Sequence, residues 1–440
     1  KGMGLEFRRV LFPIFRGNRH PSGYGFGRQS DLRERRSLGC NGFLHQAVSR
    51  SHRIIHELTL AMKTISYWER QGFGKADWVV IGAGLVGLQS ARRIKERYPT
   101  LRVWVVDEQA LGQAASLRNA GFACFGSAGE ILDEIERTSQ SEALGLYEKR
   151  FLGIQKLLSR YGGDRLGFRA SGGTEVFSSD DLDDAHRVFG SLADLNLLLH
   201  SVHGKLAFEM CDTRPTGMNV LSEGVFSTLE GGLQSHFLYR AVREDALKAG
   251  VEIYEGMRVV DFSESGESVQ LAMANGLKIE ASHLLVCTNG FSKRLIPELA
   301  VAPARGQVFV TRTLDKLPFE GIFHADKGYI YFRELDGNRV LIGGGRNLDF
   351  AGEETMEMNV TDRFRSYLKS YVETVILPGK TVDFEYEWSG VMGMNENRNP
   401  IIGWHSNRVC LAVRMGGMGV ALSAWVADEV LNVVERDFGV

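Results

Sequence analysis

Residues 77–91, DWVVIGAGLVGLQSA, decide the fold of this chain. The stretch opens with a continuous apolar run, 78–81, which is typical of a buried strand in a parallel sheet. Gly82, Gly84 and Gly87 follow in G-x-G-x-x-G spacing. The first glycine allows a tight turn, the second lets the backbone approach a pyrophosphate, and the third lets the next helix pack close to the strand. The stretch therefore predicts a strand, a phosphate-binding turn and a helix whose N-terminal N–H groups face an anion.

A second strand favours a bound dinucleotide over an ordinary glycine turn in an α/β sheet. Residues 102–106, RVWVV, lead into Asp107, about 20 residues after the last glycine, where a carboxylate can accept hydrogen bonds from ribose hydroxyl groups. The segment 112–125, GQAASLRNAGFACF, comes next and is rich in small residues. Such residues would let the chain run close beneath a bound cofactor, although a surface loop has a similar composition.

The composition is that of a globular protein with a sizeable core. The chain has 440 residues, of which 44% are apolar and 24% charged, and its net charge of −2 argues against nucleic acid as a partner. No apolar stretch approaches the about 20 residues that a membrane span needs. We predict a cytoplasmic protein with no metal site, because the five cysteines show neither CxxC nor metal-ligand spacing: Cys40, Cys124, Cys211, Cys287 and Cys410.

Residues 1–61 differ in composition from the rest of the chain. They carry eleven Lys or Arg against four acidic residues and show no sustained helical or strand period, so we predict a poorly structured extension. An Arg-rich transit peptide and a basic arm for anionic partners are two interpretations. The third is that Met62 is the true start and that the segment lies upstream of the protein.

The order of segments predicts a discontinuous cofactor domain of Rossmann-like α/β type. From about Phe168 the pattern changes to short alternating segments, and residues 301–350 show the alternation and turns of antiparallel strands. We expect a second, substrate-binding domain that contains a large antiparallel sheet. The predicted parts are cofactor segments 62–165, 223–300 and 387–440, and substrate segments 166–222 and 301–386.

The C-terminal segment has the same organisation as residues 77–91. Residues 409–413 read as a strand, 416–419 as a glycine-rich turn and 420–434 as an apolar helix. This unit would direct a second helix N-terminus at an anionic or electron-rich ligand. Two such units at opposite ends of the chain suit a cofactor that is held at its phosphates and at its reactive ring.

Four segments resemble the family of FAD-dependent D-amino-acid and amine oxidases, which includes glycine oxidase, sarcosine oxidase and γ-glutamylputrescine oxidase. They are VVIGAGLVGLQSA, the A-S-x-R-N-x-G segment at 115–121, Pro-Ala-Arg-Gly-Gln at 303–307, and Asn-Pro-Ile-Ile-Gly at 399–403 with RMGGMGV. The second is the most specific, because in that family it is the loop beside the flavin. The resemblance covers nearly everything from Met62 onward.

The resemblance implies non-covalent FAD, because sarcosine oxidase-like enzymes tether the flavin through a cysteine in the region of residues 390–394, and none of the five cysteines falls there. It assigns the ADP half to the glycine turn and Asp107, the adenine to Val259, and the dinucleotide backing to Gly290. It assigns the pyrophosphate and flavin to a second set of residues: Ser116, Arg118, Asn119, Gly416, Gly417 and Gly419.

The substrate residues implied by the resemblance are Tyr331, Arg333 and Met392. Tyr331-Phe332-Arg333 matches the segment whose arginine binds the substrate carboxylate in amino-acid oxidases, and a guanidinium pairs well with a carboxylate. A surface or structural arginine is the alternative, and core packing is the alternative for Met392. Residues 390–394 lack the second arginine of glycine oxidase, which favours an extended or N-substituted amine over glycine.

The resemblance implies oxidation of the C–N bond of an amine or amino acid to an imine by hydride transfer to flavin N5, with O2 or another acceptor reoxidising the flavin. One alternative is a 2-hydroxy-acid dehydrogenase, which would need a histidine base near the flavin. His236, His324 and His405 are isolated in the sequence, so we expect structural roles for them. The other alternative is a non-catalytic FAD-binding protein, for instance a partner in RNA modification.

Overall fold

The computed structural model describes residues 66–111, 114–396 and 398–438. The predicted N-terminal extension lies outside these residues. In chain order the strands are β1 (Lys75–Ile81), β2 (Val103–Asp107), β3 (Phe122–Ala123), β4 (Gly173–Glu175), β5 (Glu209–Asp212), β6 (Glu223–Ser227), β7 (Gly231–Gly232), β8 (Glu252–Glu255), β9 (Val259–Ser265), β10 (Ser268–Met273), β11 (Lys278–Val286), β12 (Ala302–Thr311), β13 (Ile322–Ala325), β14 (Ile330–Leu335), β15 (Arg339–Gly344), β16 (Phe384–Met394), β17 (Ile401–Trp404) and β18 (Val409–Val413).

The α-helices are α1 (Tyr67–Phe73), α2 (Leu85–Arg97), α3 (Ala115–Arg118), α4 (Ala128–Arg137), α5 (Gln140–Tyr161), α6 (Gly163–Leu166), α7 (Leu182–His203), α8 (Ser235–Lys248), α9 (Asp362–Tyr371) and α10 (Gly419–Phe438). Short 3-10 turns lie at Asn289–Arg294, Asp326–Gly328 and Arg346–Leu348, and a π-helical turn, Val372–Ile376, extends α9.

The first large sheet is built around β1. Its order is β17-β18-β11-β1-β2-β8, with β18 to β8 parallel, β17 antiparallel at one edge, and β9 and β10 continuing antiparallel from β11. Trp78 and Val80 belong to one buried cluster and Val79 and Ile81 to another. Both faces of β1 are therefore covered, which explains why its sequence is apolar without alternation.

The second large sheet has the order β16-β12-β15-β14-β13-β4-β6-β5 and is antiparallel except for the β13–β4 pair. Phe309 and Phe332 pack with Leu368 of α9 in a buried cluster on one face. Val308 and Tyr331, which alternate with those phenylalanines, belong to a smaller cluster on the other face. Side-chain alternation along β12 and β14 thus separates a helix-covered face from a face turned toward the first sheet.

The predicted fold class is confirmed: the chain is a mixed α/β protein with a parallel Rossmann-like sheet and a large antiparallel sheet. The domain boundaries stay a prediction. β6 and β16 pair within the second sheet, whereas the predicted boundaries at 223 and 387 give β6 and most of β16 to the cofactor parts. Among the helices that the structure describes, none is both long enough and apolar enough to cross a membrane.

Candidate functional site

A cavity of about 460 Å³ is lined by residues of both large sheets. One part of it is walled by the ends of β1 and β2, and another by side chains of β12 and β14. Ligand sites in open α/β sheets lie at the carboxyl ends of the parallel strands, where helix N-termini converge. This cavity has the size and position of such a site.

The glycine turn forms the wall of the cavity at the start of α2. Gly82 has φ +110°, which favours glycine, and a Cβ on Gly87 would overlap the Gly82 carbonyl oxygen. Gly82 and Gly84 line the cavity, whereas Gly87 packs the helix against the turn. Gly84 caps the helix without any side-chain hydrogen bond, and the Leu85 N–H donates to Ser116 Oγ at 3.0 Å. Leu85 and Val86 of this first turn line the cavity, so the N–H groups that remain there can face an anion.

Asp107 lies at the end of β2 and lines the same wall. Its carboxylate accepts the Ala83 N–H at 2.7 Å and the Gln109 N–H at 2.8 Å, and burial raises the pKa of Asp107. The Met257 N–H donates to the Asp107 carbonyl, and Val259 lines the cavity next to it. The predicted adenosine residues therefore share one end of the cavity.

The segment 115–121 crosses the middle of the cavity and is fixed to β16. Arg118 Nη1 donates to the Ser389 carbonyl at 2.7 Å, and Trp388 Nε1 donates to the Arg118 carbonyl at 3.0 Å. Asn119 Oδ1 accepts the Gly121 N–H at 3.0 Å and the Ser235 hydroxyl at 2.7 Å. Three predicted cofactor residues of this segment line the cavity: Ser116, Arg118 and Asn119.

The C-terminal glycine turn lines the cavity at the start of α10. Gly416 and Gly417 have φ +57° and +81°, and both line the cavity together with Gly419. The side chain of Asn289 holds the turn, because its Oδ1 accepts the N–H groups of Arg414 and Met415 at 3.0 and 3.1 Å.

Gly290, which follows Asn289, is not part of the cavity wall. A Cβ there would overlap the Met392 carbonyl of β16. The structure therefore places Gly290 in the packing between the two sheets rather than against the space for a dinucleotide.

The three predicted substrate residues do not come together. Tyr331 and Met392 line the cavity, and Arg333 does not. Arg333 is 3% exposed, and its Nη1 donates to the carbonyls of Gly121 and Leu233 at 2.7 and 3.0 Å. Burial lowers the pKa of Arg333. Its guanidinium links β14 to the backbone at Gly121 and Leu233. This is the structural role that the sequence analysis gave as the alternative to substrate binding.

Arg346 is a cavity residue that the sequence did not single out. It lies in the turn after β15, where Gly344 and Gly345 have φ +115° and +77°. Its guanidinium stacks on the Phe350 ring at 4.7 Å, and it forms no ion pair with any carboxylate of the described chain. Burial lowers the pKa of Arg346. The glycine run marked the turn in the sequence, but nothing local showed that the next side chain faces a cavity.

His324 also lines the cavity, and it is not isolated as the sequence suggested. Its Nε2 lies 2.9 Å from Glu230 Oε2, and both side chains are buried. Burial would lower the pKa of His324, but the carboxylates of Glu230, Glu175 and Glu130 raise it above its usual value. The sequence could not show this partner, because it lies 94 residues away in the chain.

A family model described as FAD dependent oxidoreductase (DAO) matches residues 77–432. The chain belongs to the DAO family of FAD-dependent oxidoreductases. It is 23% identical over 385 residues to a probable oxidoreductase OrdL of Haemophilus influenzae, with 82% of this chain and 84% of that one covered.

Solved structures of this fold include glycine oxidase from Geobacillus kaustophilus, with TM-score 0.65, 20% identity and coverage of 82% of this chain and 95% of that one. L-Proline dehydrogenase from P. horikoshii has TM-score 0.66 and 15% identity, with coverage of 83% and 94%. At these identities the likeness shows the fold, and the family match gives FAD as the cofactor.

The residues of this DAO-family chain fit FAD. The start of α2, where Gly84 supplies no side-chain cap, and the glycine turn suit a pyrophosphate, since backbone N–H groups and the helix dipole favour an anion there. The left-handed glycines before α10 bring a second helix N-terminus to the same cavity. The space between the two turns is one continuous cavity, as a long dinucleotide requires.

Proposed function

We propose that this oxidoreductase oxidises the C–N bond of an amine or amino acid to an imine that then hydrolyses. Bound FAD supplies the acceptor for the electron pair of the substrate C–H bond, and O2 or another acceptor reoxidises it. The observation that carries the proposal is the shape of the cavity, which continues from the two glycine turns to a wall formed by Tyr331, Met392 and Arg346. A small substrate in this part would lie between the flavin end and the antiparallel sheet.

In this proposal FAD is non-covalent and is held mainly by backbone groups of the two glycine turns. Gly82, Gly84 and Asp107 would bind the ADP half, and Val259 would meet the adenine. The C-terminal turn would hold the flavin, where helix dipole and N–H groups would stabilise negative charge on the reduced ring. Support comes from the cavity wall, which includes these residues and the rest of the set: Ser116, Arg118, Asn119, Gly416, Gly417 and Gly419.

We assign the substrate carboxylate to Arg346 rather than to Arg333. Both donors at Arg333 Nη1 are used by backbone carbonyls, whereas Arg346 lines the cavity without an ion-pair partner among the described residues. A half-buried guanidinium of this kind gains a charge-assisted pair when a carboxylate enters. Lys327, on the neighbouring turn, lines the cavity too, but its Nζ lies 3.7 Å from Asp184 Oδ1, so Arg346 is the better carboxylate partner.

One observation favours a second candidate, oxidation of a 2-hydroxy acid. That reaction needs a base for the hydroxyl proton, and His324 backed by Glu230 lines the cavity. The same pair also suits an amine, so the substrate panel has to separate the two.

A cytoplasmic location remains part of our proposal, and it is consistent with the lack of any disulfide among the cysteines of the described segments.

The test is anaerobic addition of amines, amino acids and 2-hydroxy acids to the purified flavoprotein while the flavin absorbance is followed. We expect bleaching by an amine or amino acid, and formation of H2O2 on reoxidation if O2 is the acceptor. Bleaching by hydroxy acids alone would move the assignment to the second candidate. A flavoprotein that none of the three classes reduces would contradict both.

A further inference from the structure

The buried side chains of His324 and Glu230 form a fixed hydrogen-bonded pair, and His324 lines the cavity. His324 on β13 meets Glu230, which immediately precedes β7. Glu230 Oε1 accepts the Phe125 N–H at 3.1 Å, and its Oε2 faces His324 Nε2 at 2.9 Å. A Cβ on Gly173 would overlap Glu230 Oε2, so this position of β4 must be glycine for the carboxylate to fit. Backbone, glycine and histidine together fix the Glu230 carboxylate in one orientation.

This contact also fixes the orientation of the imidazole. An ionised carboxylate only accepts hydrogen bonds, so the proton between the two residues belongs to Nε2 of His324. Nδ1 has no hydrogen-bond partner among the residues that the structure describes, and the ring lines the cavity. The ring of Phe122 packs edge-on against both His324 and Tyr331, at 5.7 Å in each case. The free nitrogen is therefore held in a rigid wall beside the expected substrate position.

The charges around the ring favour its holding a proton. Glu230 faces it from the turn before β7, Glu175 from β4 and Glu130 from α4, and their carboxylates act on its titration. Glu175 accepts the Ser127 hydroxyl at 2.7 Å and the Gly129 N–H at 2.9 Å, and Glu130 is paired with Arg150 at 2.9 Å. The remaining titratable neighbours, Cys124 after β3 and Tyr331 on β14, keep their protons because burial raises their pKa values.

We propose that His324, oriented by Glu230, accepts the proton that an ammonium substrate must lose before its C–N bond is oxidised. This inference rests on the proposed function. An ammonium group has no lone pair to form the C=N bond, so deprotonation has to come first. The N–H bond breaks and its proton moves to Nδ1. The C–H bond then breaks, its electron pair and hydrogen pass to FAD, and the nitrogen lone pair forms the C=N bond. The proton leaves to solvent with the product.

The role predicts a pH dependence with a definite sign. Only neutral His324 can accept a proton, and the surrounding carboxylates keep it protonated to a higher pH than an ordinary histidine. The rate of flavin reduction should therefore rise with pH until His324 has lost its proton. Removing the charge of Glu230 should move this rise to lower pH, because an adjacent carboxylate favours imidazolium.

The first measurement is an NMR titration of the holoenzyme labelled with 13C-histidine, which needs no substrate. The His324 signal is assigned by its loss in His324→Asn, and we expect its pKa to fall by about one unit or more in Glu230→Gln. Glutamine keeps the size and a hydrogen-bond acceptor. An unchanged His324 titration in Glu230→Gln would overturn the dyad whether or not a substrate is known.

The second measurement is the anaerobic rate of flavin reduction by the reacting amine between pH 6 and about pH 10. We expect the acid limb to move to lower pH in Glu230→Gln, and to disappear in His324→Asn with a rate lowered about 100-fold or more. His236→Asn, at an exposed position of α8, is the matched control and should keep the wild-type profile. If the acid limb lies at the same pH in Glu230→Gln as in the wild type, the role of His324 is overturned. If no amine reduces the flavin of the wild-type enzyme, the proposed function is overturned.

Discussion

The two ends of the cavity are encoded in different ways. At the cofactor end, Gly82, Gly84 and Gly87 lie within six residues of one another, and their geometry is a local backbone requirement. At the substrate end, His324 meets a partner 94 residues away, and Arg346 lines the cavity whereas Arg333 of the motif at 331–333 does not. A local motif predicts how backbone is shaped. It does not predict which distant side chains meet.

Adding one methyl group at Gly87 tests the cofactor end and should have the largest effect. The new Cβ in Gly87→Ala would overlap the Gly82 carbonyl oxygen, so helix and turn must separate. We expect loss of most bound FAD and a free energy of unfolding lowered by about 3 kcal/mol. Gly145→Ala in α5, where a Cβ meets nothing within 4 Å, is the control and should retain full FAD. Flavin absorbance per protein and denaturant unfolding are the measurements, and normal FAD content in Gly87→Ala would contradict the account.

Arg333→Met separates structure from substrate binding. The substitution leaves the buried Leu233 carbonyl without its Arg333 donor, at about 1–3 kcal/mol, and takes one of two donors from the Gly121 carbonyl, which keeps the Leu233 N–H. We therefore expect the free energy of unfolding to fall by about 2 kcal/mol. Arg169→Met, which removes exposed ion pairs with Glu334 and Asp336, should change it by less than about 1 kcal/mol. Equal free energies of unfolding for the two variants would show that the Arg333 hydrogen bonds to Gly121 and Leu233 do not stabilise the fold.

The polar cluster behind the substrate end should lower stability as pH rises. Burial raises the pKa of Glu175 to about 7, from an ordinary value of 4.5. The folded state then binds a proton that the unfolded state has released, so this contribution is complete below about pH 4.5 and is lost as pH rises toward 7. At 1.36 kcal/mol per pKa unit it amounts to about 3 kcal/mol. Denaturant unfolding between pH 4.5 and 7 should show a weaker decline in Glu175→Gln than in the wild type, and identical slopes would refute the assignment.

Arg346→Met tests substrate binding directly and should leave the fold intact. We expect kcat/KM for a carboxylate-bearing substrate to fall about 100-fold, or about 2.7 kcal/mol, mostly through KM. An amine without a carboxylate should be affected little. Arg339→Met on the adjoining strand, whose side chain pairs with Glu385 instead of lining the cavity, is the control. Unchanged kinetics in Arg346→Met would mean that another cation binds the substrate carboxylate, and Lys327 would be tested first.

The sequence predicted the elements whose signals are local. β1 and β18 are buried on both faces and therefore read as continuous apolar runs, and the glycine turns after them require particular backbone geometry. Within the predicted antiparallel segment 301–350, β13 has no clear signal of its own because it is four residues long and contains His324, whose burial depends on a distant carboxylate. Tyr331 and Arg333 lie on the same face of β14, as alternation predicts. Arg333 lies two residues further along the strand, where its guanidinium bonds the Gly121 carbonyl instead of facing the cavity.

The cofactor site draws on both ends of the chain, and this has a consequence for synthesis on the ribosome. Gly87 and Gly417 lie about 330 residues apart, and α10 packs against both α2 and α5. At roughly 5–20 residues per second, the first glycine turn waits about 20 seconds to a minute for its partner to be made. Until then the apolar β1 has to be kept from solvent by other parts of the nascent chain and not by bound FAD, since the second half of the binding site does not yet exist.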